Sequence, residues 1–326
     1  MAQGNNGIYI AWVPFQRRAE SISRVLGLRL FYVPRISNRG YLLPFSYIVQ
    51  SVRTLHILWR NRSSKNVWVQ VPPTFLIHLL VLVRPLLRGT RFVLDFHNSA
   101  FRGVWSKLPG TFWLAARLGR IVVHNREIMR DLGAFGVSPG NAYVITDPPA
   151  HLQAVEMRFG VIPPASVVVP CSFAEDEPID AIMGAAQLSP EITWFITGSR
   201  TKARAKGFVT NAPGNVVFTD YLSLDSYNDL FCRVGGVIGL TTMEGIQLSV
   251  GNEAIGAGKA LLLSSTTILR AMFADAALFT SNDAQQLAMN ARRLLEEKAA
   301  LEAKSFLLSR RREQVWMTEA KAAGVM

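Results

Sequence analysis

The chain has 326 residues, 49% of them hydrophobic, which is enough for more than one core, so two domains of about 150 residues are expected. Two cysteines, Cys171 and Cys232, exclude a disulfide framework. The net charge of +12 sits in one half: residues 1–150 hold 19 Lys+Arg against 5 Asp+Glu, residues 151–326 hold 16 against 18. Such an asymmetry concerns partners rather than fold. It fits nucleic acid, an anionic membrane surface or a phosphorylated substrate, or simply a basic surface kept for solubility.

The N-terminal "MAQGNNGIYIAWVPFQRR" lacks a basic stretch followed by a long apolar one, so no signal peptide is expected. Short runs rich in Val, Ile and Phe follow: "GIYIAWV", "LRLFYV", "NVWVQV", "RFVLDFH" and "RIVVHN". Helical segments separate them. This pattern predicts parallel strands buried on both faces and alternating with helices. No apolar run reaches the length of a spanning helix. "PPTFLIHLLVLVRPLLRGTRF" (72–92) reads either as a buried helix or as one that dips into a membrane interface.

Residues 144–166, with two proline pairs, predict a linker. The alternation then restarts with "SVVVPCSF", a helix from about Asp176 to Leu188, "ITWFITG", "NVVFTD", a helix from about Leu224, "VGGVIGLTT", "ALLLSS" and "ALFTS". Residues 284–322 are helical in pattern. The expected fold is α/β, with two doubly wound, Rossmann-like domains facing each other across a cleft. Residues 1–150 would form an acceptor-binding domain and 151–326 a donor domain, the last helix returning to the first. Ligands in such sheets bind beyond the carboxyl ends of the strands.

"GNEAIGAGKALLLS" (251–264) can be a phosphate site or a tight turn. Gly251 or Asn252 would cap a helix with Glu253 in its first turn, where unpaired N–H groups and the dipole favour a pyrophosphate. The plainer reading is a capping acid and a C-cap glycine. Gly256 and Gly258 suit close packing and helix termination. On the other half, Asp95 and, second, His97 are candidate bases just past a strand. Each can equally be a structural, hydrogen-bonded group. Arg17 and Arg18 are either anion contacts or a solvated helix start.

"LTTMEGIQLSVGNEAIGAGKALLLSSTTILRAMF" resembles the donor-nucleotide segment of GT-B glycosyltransferases, especially bacterial polysaccharide enzymes related to glycosyltransferase family four. "VVVPCSFAEDEPID", "WFITGSR", "NVVFTDYLSLDSYNDLF", "WVPFQRRAESISRVLG", "VLDFHNSAF", "VVHN" and "DPPAHL" resemble that group in order and spacing, over roughly residues 8–290. The resemblance implies a sugar transferred from a nucleotide-diphosphate sugar, a UDP- or GDP-sugar, to a glycan or lipid-linked acceptor in surface polysaccharide synthesis. Glu253 matches the ribose-binding acid and Glu244 the acid that faces the donor. Thr241, Thr242, Gly198, Ser199, Arg200, Lys202, Lys206 and Asn252 are further donor-side candidates. Arg17, Arg18, Asn98 and Asn125 are acceptor-side candidates.

This chain departs from the pattern in three ways. Eight residues separate Glu244 from Glu253, one more than in the better-known retaining enzymes. The arginine–lysine pair expected after the domain's first strand is replaced by the acidic "CSFAEDEP", and Met243 replaces an arginine. Neither an HExxH nor a paired-aspartate motif is present, so no metal and no cofactor are expected. The expected location is cytoplasmic, peripheral on the inner face of the cytoplasmic membrane, against an anionic lipid surface. Two alternatives remain: an epimerase of nucleotide sugars with the same fold, and a catalytically silent subunit that anchors a partner at the membrane. Nucleic acid is not an expected partner, because no reader motif accompanies the basic residues.

Overall fold

The computed structural model describes residues 7–326 except 38, 102–106, 125 and 153–157. The chain divides into two compact units, residues 1–148 with 314–326, and residues 149–313. The division between Pro148 and Pro149 falls inside the proline-rich stretch.

The first unit is built on six strands: β1 (Gly7–Ala11), β2 (Arg29–Tyr32), β3 (Asn66–Val71), β4 (Arg91–Phe96), β5 (Arg120–Val123) and β6 (Ala142–Val144). All pair in parallel in the order β2-β1-β3-β4-β5-β6. Helices α1 (Arg17–Leu26), α2 (Leu43–Arg60), α3 (Leu76–Val83), α4 (Thr111–Leu118) and α5 (Arg126–Ala134) connect them. Successive side chains on a strand point to opposite faces, and the two faces bury different helices. Ile8, Ile10, Val67, Val69 and Leu94 pack with Leu58 of α2, Leu76, Ile77 and Leu80 of α3, and Phe112 of α4. Tyr9, Ala11, Trp68, Val93 and Val122 pack with Ala19 and Ile22 of α1 and with Trp316 and Ala320 near the end of the chain.

The second unit carries β7 (Ser166–Pro170), β8 (Thr193–Thr197), β9 (Val216–Asp220), β10 (Gly236–Gly239), β11 (Leu261–Ser264) and β12 (Leu278–Thr280). These are also parallel, in the order β12-β11-β10-β7-β8-β9. Its helices are α6 (Ile179–Leu188), α7 (Arg200–Ala205), α8 (Leu224–Arg233), α9 (Ser249–Gly256), α10 (Thr267–Phe273) and α11 (Ala284–Glu296). Helices α6, α7 and α11 cover one face and α8, α9 and α10 the other. The long helix α12 (Lys298–Ala322) ends the chain, and its residues from Gln314 onward belong to the first unit. Both units are therefore doubly wound and Rossmann-like.

The 72–92 stretch is mostly buried in its first part and more exposed in its second. Leu76, Ile77 and Leu80 of α3 are fully buried, while Leu82 and Leu86 are 77% and 79% exposed. Among the described residues no helix is long and apolar enough to cross a membrane.

Candidate functional site

In the first unit, the carboxyl ends of β1, β4, β5 and β6 gather one polar network around Asp95. Asp95 is the fifth residue of β4 and has no exposed surface. Its carboxylate accepts from the Tyr9 hydroxyl at 2.6 Å, from Arg18 Nε at 3.1 Å and from Arg18 Nη2 at 3.0 Å. His97 Nε2 lies 3.2 Å from Asp95 Oδ2. The other terminal nitrogen of Arg18 donates to the Thr146 carbonyl oxygen at 3.1 Å and to Asp147. Burial alone would raise the Asp95 pKa; the Arg18 guanidinium and His97 more than offset this and hold it well below the usual carboxylate range. Burial alone would lower the Arg18 pKa, but Asp95 and Asp147 hold it above its ordinary value. Burial first, and then Asp95, raises the Tyr9 phenol well above its ordinary value.

This arrangement encloses the first of the two candidate bases and leaves the second partly open. Asp95 is ionised, enclosed and fully partnered, so no acceptor hydroxyl can reach it. Its place is to fix Arg18 and His97. His97 is partly exposed, with its side chain 14% accessible, and the Gln16 amide nitrogen lies 3.3 Å from its ring nitrogens. The His124 ring stands 5.6 Å from His97, because β4 and β5 are neighbours. Burial lowers the His124 pKa, assisted by Arg18 and His97 and opposed by Asp147.

Arg18 is likewise committed to the network, with its side chain 3% accessible, and is not placed to touch an acceptor. Arg17 pairs with Glu20 at 2.9 Å and lies over the Phe15 ring. Asn98 begins a short 3₁₀ turn (Asn98–Phe101), but its side chain and the whole of Asn125 lie outside the described residues.

In the second unit, Glu253 is 8% exposed on α9 and accepts a 2.7 Å hydrogen bond from the Tyr227 hydroxyl of α8. The helix starts earlier than its glycines suggested. Leu248 is the N-cap and Ser249 the first helical residue, so Glu253 lies beyond the first turn and the unpaired N–H groups begin at Ser249. Asn252 does not cap the helix; its Oδ1 accepts from Arg312 at 2.6 Å. A Cβ on Gly251 would stand 2.4 Å from the Phe273 ring and one on Gly256 1.6 Å from the Ala150 carbonyl oxygen. Both glycines therefore serve close packing. Gly258, at φ +62°, ends the helix.

Thr241 follows β10 and is fully buried. Its hydroxyl donates to Asp176 at 2.8 Å, and its N–H donates to Ser264. Thr242 donates from both N–H and hydroxyl to the Asp176 carbonyl oxygen. Glu244 accepts from the Thr267 N–H at 3.0 Å, holding the first turn of α10. Gly198, at φ +107°, lies against the Cys171 carbonyl, and Ser199 caps α7. The backbone N–H of Arg200 donates to Asp220.

The acidic segment after β7 is held by hydrogen bonds to its own backbone and approached by two lysines from elsewhere. Glu177 folds back to accept from Ser172 and Ala174 N–H groups, at 2.9 and 3.0 Å. Lys206 Nζ reaches the Phe173 carbonyl oxygen at 2.9 Å and Lys202 Nζ that of Ser172 at 3.3 Å. Two ammonium groups thus stand beside the carboxyl end of β7, supplied by the α7 region instead of the loop itself. Among the described residues no cluster of His, Cys, Asp and Glu is placed to hold a metal ion. Tyr227, Asp176, Tyr9, Gln16, Asp147 and His124 were not singled out by sequence reasoning. Strand adjacency is the signal that brings His124 beside His97.

Comparison with solved structures gives the fold its name. The chain superposes over 98% of its length on all of the Anabaena HepE chain in complex with UDP-glucose, with a TM-score of 0.62 at 11% identity. It covers 99% of WaaG, a glycosyltransferase involved in lipopolysaccharide biosynthesis, with a TM-score of 0.56 at 13% identity. A curated relative, the chitobiosyldiphosphodolichol beta-mannosyltransferase of Candida glabrata, is 26% identical over 187 residues, 43% of this chain and 41% of that protein. The match thus spans less than half of the relative's length. No family model matches the chain. The fold is of the GT-B type, two Rossmann-like domains.

Proposed function

We propose that this protein is a metal-independent glycosyltransferase that moves a sugar from a nucleotide-diphosphate sugar, bound by the second unit, to an acceptor bound by the first. The observation that carries this reading is the enclosed Glu253 held by Tyr227. A carboxylate fixed near the carboxyl end of a parallel sheet can accept from both vicinal hydroxyls of a ribose. Lys206 and Lys202, together with the N-terminus of α9, supply positive potential for the departing diphosphate as the C1–O bond breaks. His97, oriented by Asp95, takes the acceptor hydroxyl proton. Glu244 and the Thr241–Asp176 pair shape the loops after β10 and β7. HepE in complex with UDP-glucose supports a UDP-sugar as donor.

The acceptor we infer is lipid-linked. Tyr41, Phe45, Ile48, Val52 and Trp59, on α2 and just before it, are all more than half exposed. A groove of about 750 Å³ lies beside Ile48 and Val52 of this set, lined also by Leu43, Tyr47 and Phe75. Residues 33–118 hold twelve Lys+Arg and one acid, the buried Asp95. An apolar face in a basic field suits the surface of an anionic bilayer. These features support a peripheral position on the inner face of the cytoplasmic membrane, and the likeness to WaaG supports a place in surface polysaccharide synthesis.

The test is a thermal-shift screen with UDP-, GDP-, CMP- and TDP-sugars, followed by assay of nucleoside diphosphate release. One nucleotide class should raise the melting temperature by mass action. Release should require an acceptor, which separates transfer from epimerisation. No shift with any nucleotide, together with unchanged activity of Glu253→Ala, would overturn the reading.

A further inference from the structure

A hollow of about 470 Å³ in the first unit is lined by Arg84, Arg91, Arg117 and Arg120, and no acidic residue lines it. Arg91 is the first residue of β4 and Arg120 the first of β5. Asn66, which also lines the hollow, is the first of β3. The hollow therefore sits at the amino ends of parallel strands. His97 lies past their carboxyl ends, a six-residue strand or about 20 Å away.

Three of the four guanidinium groups, those of Arg84, Arg117 and Arg120, are held by aromatic rings, backbone carbonyls or a phenol instead of carboxylates. Arg84 lies over the Phe92 ring at 5.4 Å and donates to the Leu87 and Thr90 carbonyl oxygens at 3.0 and 2.7 Å. Arg117 lies 3.7 Å from the centre of the Trp113 ring. Arg120 lies over the Tyr143 ring at 5.5 Å and donates to its hydroxyl at 2.9 Å. Among the described residues, none of the four has a carboxylate within 4.0 Å. Like charges converging without counter-charge repel one another. A bound polyanion removes that repulsion, and planar guanidinium forks match phosphate oxygens in pairs.

We propose that this hollow is an anion-binding site for a phosphate-rich group, taken either from a soluble oligophosphate or from a phospholipid head group. It lies apart from the proposed transfer centre and does not depend on it. The volume is in the range of small-molecule sites and exceeds the needs of a lone phosphate. Apolar side chains adjoin it in the chain: Leu86 two residues past Arg84, and Trp113 beneath Arg117, are 79% and 55% exposed. They favour a lipid source.

The experiment uses the full chain, the double variant Arg91→Gln/Arg120→Gln, and the control Arg310→Gln/Arg311→Gln, which removes the same charge from exposed positions outside the hollow. One arm titrates tripolyphosphate by calorimetry. The other floats the protein with phosphatidylcholine vesicles containing phosphatidic acid. The hollow variant removes two guanidinium groups and should weaken binding by well over tenfold, since each charge-assisted hydrogen bond lost is worth about tenfold or more, while the control changes little. Selective loss in the vesicle arm identifies the lipid source, and selective loss with tripolyphosphate alone identifies the soluble one. Equal weakening in both variants, or none in either arm, overturns the proposal. Unchanged thermal melting of the variants would show that the fold is intact.

Discussion

Tyr227 and Glu253, 26 residues apart on consecutive helices of the second unit, are joined by a 2.7 Å hydrogen bond from phenol to carboxylate. The bond ties the proposed ribose-binding acid to α8. Tyr227→Phe should therefore weaken nucleoside diphosphate binding about tenfold or more, the worth of one hydrogen bond to a charged group. Glu253→Gln should weaken it further. Calorimetric titration measures both, and equal affinity in the wild type and Tyr227→Phe would remove Tyr227 from the site.

The Asp95–Arg18 pair makes a second prediction about stability. Removing one partner of a buried ion pair leaves the other charge uncompensated, so Asp95→Asn should cost roughly 3–5 kcal/mol in urea unfolding. Tyr9→Phe, which deletes a single hydrogen bond to the carboxylate, should cost about 1.5–3 kcal/mol. A cost below about 1 kcal/mol for Asp95→Asn would show that the network is not a structural keystone.

His124 predicts a dependence on pH. Burial lowers its folded pKa, so the unfolded chain binds the proton more readily than the folded one. The stability that the neutral ring contributes is present above the unfolded value of about 6.5 and is lost as pH falls towards the folded one. Asp95, held low, stays ionised throughout this window and adds no slope there. Melting temperature should therefore decline as pH falls below about 6.5 in the wild type, and less so in His124→Gln.

Gly256→Ala supplies a packing test. A Cβ would meet the Ala150 carbonyl oxygen at 1.6 Å, and backbone on both sides leaves little room to yield. The expected cost is about 1–3 kcal/mol. Gly133→Ala, within α5 and with open space around its Cβ, should be neutral or stabilising. Equal melting of the two variants would contradict the close approach.

Eleven of the twelve strands could be read from runs such as "NVWVQV" and "ALLLSS", because strands buried on both faces are continuous apolar stretches. The three-residue β6 escaped, being too short to show a period. The N-cap of α9 lies three or four residues before the expected Gly251 or Asn252, because Leu248 has no side chain that can cap and leaves no sequence signal. His97 lies just past β4 as expected, but Asp95 is inside the strand, and the division of labour between them is not legible in the sequence. It depends on Arg18 and Tyr9 arriving from 77 and 86 positions away. Lys202 and Lys206 raised a different difficulty. Their contacts at Ser172 and Phe173 follow from β7 and β8 lying side by side, which no local spacing encodes.

Trp316, with no exposed surface, sits in the same core as Tyr9 and Trp68, although about 250 residues separate it from Trp68 along the chain. The sheet that begins at the amino end is closed only by residues delivered at the carboxyl end. During synthesis the second unit, continuous from 149 to 313, has all of its own chain before the first unit has the whole of its own. Of the two units, the one begun earlier is thus completed later, and until then one side of its β-sheet lacks the Trp316 side chain.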